Sequence, residues 1–117
     1  MTLTELLAGL QAGRYDFEDV QAYIQARYDY TPTAFDNGLG DDRARNAAGQ
    51  NEGSCRLFAF ASLEGLDEQD TLRCFGRHYR HVLADAAGQD HANIRQFMRH
   101  GWAGIRFEGV ALRARAT

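Results

Sequence analysis

Cys74, His78, His81 and Asp85 carry the ligand and nucleophile chemistry that stands out first in this chain. If the segment from Asp67 to Ala86 forms one helix, a wheel at about 100° per residue gathers all four on one stripe. That stripe lies opposite Leu72, Phe75, Tyr79 and Leu83. Cys74 and His78 then have the i, i+4 separation at which a thiolate and an imidazole bind one metal ion, and His91 from the next helix adds a third ligand. The simpler reading is a packed cysteine beside solvated histidines. No metal is therefore expected, and Cys74, His78 and His91 stand as the alternative. A thiol–histidine pair, Cys55 or Cys74 with His91 oriented by Asn51 or Asn93, would make a nucleophilic enzyme once brought within hydrogen-bond reach. Spacing alone does not bring them there, so catalytic residues stay unassigned and the reading leans away from an enzyme.

Other patterns carry weaker chemistry. Arg73, Arg77 and Arg80 would present an anion-binding or docking edge on the same helix, or simply a solvated face. Asp36, Asn37, Asp41, Asp42, Asn46, Asn51 and Glu52 supply oxygen ligands, yet the EF-hand spacing with its terminal acid is absent. Gly38-Leu39-Gly40 is no phosphate cradle, because Asp41-Asp42 follows it and would repel an anion and no strand is expected before it. His91 follows a capping aspartate near the face of Ile94 and Met98, where one ring nitrogen is expected to be satisfied by a backbone carbonyl.

The elements that must position these groups read as mainly helical. Thr2 with Glu5 has capping-box spacing, and Leu3, Leu6, Leu7 and Leu10 follow at helical intervals up to Gly13. Asp16 and Asp19 open a second helix through Phe17, Val20, Ile24 and Tyr28, which ends before Thr31-Pro32. From about Tyr30 to Gly53 periodicity disappears and Gly, Asn and Asp accumulate, predicting a long loop pinned by Phe35 and Leu39. Ser54 is the expected cap of a third helix carrying Leu57, Phe58, Ala61 and Leu63; Leu57-Ala59-Ala61-Leu63 alternates well enough to permit a strand, but the Ala content and the Gly65 stop favour helix. Asp67 opens the longest helix, to about Ala86, with Leu72, Phe75, Tyr79, Val82, Leu83 and Ala86 facing inward. Asp90 caps a fifth that buries Ile94, Phe97 and Met98, with His100 suited to its C-terminal dipole. Ile105–Phe107 and Val110–Leu112 then suggest a short hairpin or an extended clasp. The predicted architecture is a compact bundle of about five helices with a long loop after the second.

Composition bounds the partners. At 117 residues, with 44% hydrophobic and 25% charged residues, the chain suits one domain, residues 1–117, with a core of its own. Its formal charge of -3 argues against binding driven by phosphate neutralisation, so no nucleic-acid partner is expected. All 13 basic residues are arginine. Two cysteines make no disulfide framework, and reduced thiols are expected. No run of about 18 apolar residues and no basic leader is present, so neither a membrane span nor a secretory signal is expected.

Several blocks gain meaning together: Phe35-Asp36-Asn37-Gly38, Asn51-Glu52-Gly53-Ser54-Cys55, Thr71-Leu72-Arg73-Cys74-Phe75-Gly76, Tyr79-Arg80, and Asp90-His91-Ala92-Asn93-Ile94-Arg95-Gln96-Phe97-Met98. With Gly101-Trp102 and Ile105-Arg106-Phe107 after them, the chain resembles the HopJ family of type III effector proteins from its second helix to its C-terminal clasp. The resemblance implies a bacterial protein without an established reaction, resident in the cytoplasm or exported into a host cell if it acts as an effector. Type III cargo generally begins with a flexible export segment, whereas the capped pattern here starts at Thr2, which favours a cytoplasmic resident. The expected role is a monomeric, cofactor-free, non-enzymatic module that binds a protein or small-molecule ligand. Asp36, Asn37, Asn51, Ser54, Arg80, His91, Asn93 and Arg95 are its expected binding residues. A small enzyme or metal protein using Cys and His is the alternative.

Overall fold

The computed structural model describes residues 1–115. Among these, the first two helices begin where their start signals lie. Thr2 accepts the Glu5 amide at 3.1 Å ahead of α1 (Leu3–Gln11), and Asp16 and Asp19 form a capping box ahead of α2 (Phe17–Arg27). Both signals are local, so no distant contact had to agree with them.

The expected mainly helical bundle is corrected beyond this point: the fold is mixed α/β, with six α-helices and five short strands among the described residues. The segment read as a long loop folds into sheet. After β1 (Tyr28–Tyr30) come β2 (Phe35–Asn37) and β3 (Ala44–Asn46), paired antiparallel with Asp36 opposite Arg45. The C-terminal segments β4 (Ile105–Phe107) and β5 (Leu112–Ala114) do not pair with each other as a hairpin. β4 completes a three-stranded sheet in the order β3-β2-β4, whereas β5 pairs with β1, Tyr30 facing Leu112. The clasp therefore joins the C-terminal segment to two separate places. Each strand has three residues, too short for a period of two to register in sequence, and their partners are remote.

The helix expected from Asp67 to Ala86 is also corrected. Asp67 caps α4 (Glu68–Arg73), but the chain breaks at Gly76 and restarts as α5 (Arg77–Ala84). Gly76 has φ +58°, and a Cβ there would lie 2.1 Å from Asp16 Oδ1 and 2.7 Å from the Phe17 nitrogen. Asp16 Oδ1 also accepts the Arg77 amide at 2.9 Å. The start of α2 thus docks into the break, a tertiary contact that overrides the helical wheel.

Two further caps differ. α3 (Glu52–Leu63) starts ahead of Ser54, after Asn51, and α6 (Ala92–His100) starts after His91 rather than Asp90. The core centres on Phe58, whose ring meets Phe35, Phe75, Phe97 and Trp102 at centroid separations of 5.1–6.4 Å. Leu6, Val20, Ile24, Leu57 and Phe60 are buried around it. Leu63, Leu83 and Met98, expected inside, are exposed, as are Leu39 and Ala86. No helix of the described residues is long and apolar enough to cross a membrane.

Candidate functional site

α3 and α6 start in the same unusual way. Asn51 (φ 50°, ψ 48°) and His91 (φ 51°, ψ 48°) both hold left-handed backbone, and every other positive-φ residue among those described is glycine. Such conformations cost about 1–3 kcal/mol each and persist where the surroundings over-determine them. Neither side chain caps its own helix, so the first-turn amides of both helices lack a side-chain acceptor from the N-cap.

A run of buried carboxamides ties these two helix starts to the sheet. Asn93, on the first turn of α6, donates from Nδ2 to Asn46 Oδ1 at 3.0 Å, and Asn51 Nδ2 donates to the same oxygen at 2.7 Å. Asn93 Oδ1 accepts from Asn37 Nδ2 at 3.0 Å and from Asn46 Nδ2 at 3.3 Å. Asn37 Nδ2 also donates to the Asn93 carbonyl at 2.9 Å, and Gln96 Nε2 donates to the Asn37 carbonyl at 3.0 Å. β2, β3, α3 and α6 thereby meet at side chains whose hydrogen bonds are directional and short. Asn37 is fully buried, and its Oδ1 has no hydrogen-bond partner among the described residues.

Above this layer a cleft of about 170 Å³ opens between α2, α3, α5 and α6. Asn51, Ser54, His78, His91 and Asn93 line its polar side; Phe17, Phe75 and Ile94 line the apolar side. Phe17 stacks on Phe75 at 6.2 Å and meets His78 edge-on at 5.0 Å. Burial pushes His78 below its ordinary value of 6.5, with Arg77 and His91 adding to the effect. At neutral pH it is therefore an uncharged imidazole with one donor and one acceptor nitrogen. A cleft this small holds one side chain or a small molecule, well below the ordinary size of a drug-sized site.

On the rim, the His91 ring lies 5.2 Å from His78 and 5.3 Å from His81. Asp90 completes a group with His81 and His91 whose ligand atoms all lie within 4.8 Å of one another. This group, rather than Cys74, His78 and His91, brings its ligand atoms close together. The break at Gly76 leaves Cys74 at the end of α4, fully buried, so it shares no helical stripe with His78. Burial pushes its thiol up to about 12. Cys55 is likewise buried, its thiol raised by burial and donating to the Thr33 carbonyl at 3.4 Å. Neither cysteine lines the cleft, and a thiol held protonated is a poor nucleophile.

Of the residues singled out from sequence, Asn51, Ser54, His91 and Asn93 share the cleft, and Asn37 lies beneath it through Asn93. Three lie outside its lining. Asp36 pairs with Arg45 across the sheet at 3.4 Å, and Arg80 reaches Asp16 at 3.1 Å. Arg95 is buried and donates to the carbonyls of Asp90 at 2.6 Å, Asp85 at 2.9 Å and Ala86 at 3.3 Å, which staples the connection between α5 and α6. Phe17 and Phe75 were read only as core residues, and Asn46 only as a loop oxygen. Nothing in their local pattern separates those roles from the ones they have here.

The comparisons with known proteins agree with this architecture. The crystal structure of the unknown-function protein VPA0580 is 46% identical, covers 98% of this chain and 95% of its own, and superposes with a TM-score of 0.87. No curated protein matches. The family model described as HopJ type III effector protein matches residues 3–112, nearly the whole chain, and the chain belongs to the HopJ family.

Proposed function

We propose that this HopJ domain is a non-enzymatic binding module whose cleft seats a small ligand, or one side chain or end of a partner, carrying a carboxylate-like head on a short apolar body. The observation that carries this reading is the convergence of two helix N-termini, at Asn51 and His91, on one cleft. First-turn amides and helix dipoles favour an anionic or strongly accepting group. No N-cap side chain occupies those amides, and the Glu52 carboxylate of the first turn of α3 instead accepts from Tyr30 Oη at 3.1 Å. Ser54 and the neutral His78 supply further donors, while Phe17, Phe75 and Ile94 accommodate the apolar body. Two left-handed residues flanking a buried carboxamide layer are a costly arrangement for a purely structural corner, which supports a binding role.

The test is an NMR titration of the full chain with short-chain carboxylates, inorganic phosphate and uncharged amide analogues. A carboxylate is expected to shift the amides of Glu52, Gly53, Ser54, Ala92 and Asn93 selectively. Ser54→Ala should weaken the response. Asn51→Gly, which keeps the left-handed turn but removes the carboxamide, should remain folded and separate positioning from strain. Shifts scattered elsewhere, or an equal response to the uncharged analogues, would refute the reading.

A further inference from the structure

We infer that His81, Asp90 and His91 form a binding site for a divalent transition metal of the zinc type on the rim of the cleft. Asp90 is placed like a ligand with its outer partner already in position. Its Oδ1 accepts Arg95 Nη2 at 2.8 Å, while Oδ2 faces His81 Nε2 at 3.2 Å and His91 Nε2 at 4.0 Å. Arg95 is itself buried and anchored to backbone carbonyls, so the carboxylate is presented rather than free to wander. Hydrogen bonds that orient a ligand in this way typically change metal affinity about 10–100-fold.

The separations fit one ion. Ligand atoms bound at about 2.0–2.2 Å in a tetrahedron sit roughly 3.3–3.6 Å apart. The three atoms here lie within 4.8 Å of one another, and His81 has more than half of its side-chain surface exposed, so small rotations of its ring bring it onto the anchored carboxylate. His91 brings its ring to this place because its own backbone holds the left-handed turn ahead of α6. Two imidazoles and one carboxylate select a borderline ion over calcium or magnesium, which prefer oxygen, and they leave coordination positions open. The His78 ring, 5.2 Å from that of His91, belongs to the cleft wall rather than to this set.

The site shares His91 with the cleft wall, yet it is tested apart from the proposed organic ligand. Metal titration needs no carboxylate, and carboxylate titration in chelator needs no metal, so either reading fails alone. Zn2+ titrated calorimetrically into tag-free, metal-stripped full-length chain is expected to bind at one ion per chain, and Co2+ should give the visible absorption of a low-coordinate site. His81→Gln and Asp90→Asn should each weaken Zn2+ by about 100-fold or more, beyond the cost of losing an outer partner. His78→Gln should leave the affinity nearly unchanged, and chelator should remove the ion and restore the metal-free state. Absence of stoichiometric Zn2+ binding, or binding insensitive to His81→Gln and Asp90→Asn, overturns the proposal. Loss caused by His78→Gln but not by His81→Gln overturns it as well, because the ion would then lie deeper in the cleft.

Discussion

The aromatic core around Phe58 and the carboxamide layer around Asn93 lie within the same small fold and are held by opposite kinds of force. Phe58 meets four aromatic rings, and its burial is non-directional, so several neighbours share the work of excluding water. Asn93 joins Asn37 and Asn46 through bonds that fail if an atom moves by an ångström, and the helix start beside it holds left-handed backbone at His91. The core supplies stability; the carboxamide layer spends some of it to hold two helix N-termini on one cleft. A fully buried Asn37 oxygen without a partner among the described residues marks the same asymmetry.

Substitutions sharpen that contrast. The largest effect is expected for Phe58→Ala, which should cost about 3–5 kcal/mol in urea unfolding, because the removed ring leaves a cavity bordered by four others. Asn93→Ala is expected to cost about 1–3 kcal/mol, the penalty of leaving buried partners unsatisfied, while removing the cleft's NMR response to carboxylate. Equal losses in stability with the carboxylate response intact in Asn93→Ala would break the division between the two regions.

The smallest effect concerns pH. His78 has a folded value below its unfolded one because burial disfavours its charged form. The unfolded chain therefore takes up the proton first, and the stability this group contributes is present above about pH 6.5 and is lost as pH falls below it. Melting temperature measured from pH 7.5 down to 5.5 should decline less steeply in His78→Gln than in the parent chain. An identical slope would remove His78 from the cleft's electrostatics.

How far sequence reached differs between the same regions. Phe58, Phe97 and Ile94 were identifiable as interior residues because helical periodicity reports burial on a face. Leu83 and Met98 followed that rule and still lie exposed, since the break at Gly76 and the packing around α6 left their faces uncovered. In the cleft, Asn51, Ser54, His91 and Asn93 are singled out by residue type, whereas the pairing of Cys74 with His78 rests on a helix that does not continue. The short strands escaped because three-residue segments have no readable period, and β2 finds β4 across about seventy residues of chain.

What belongs to the sequence by itself is local: Thr2, Asp16 and Asp67 start helices through bonds to amides within three residues, and Asn51 is a residue type that tolerates left-handed backbone. What only the tertiary structure decided is pairing. Asn46 meets Asn93 across 47 residues, and Gly76 stops a helix because Asp16 occupies the space beside it. Hydrogen bonds and steric contacts act over a few ångströms whatever the separation along the chain, so partners chosen by folding leave no mark in nearby residues.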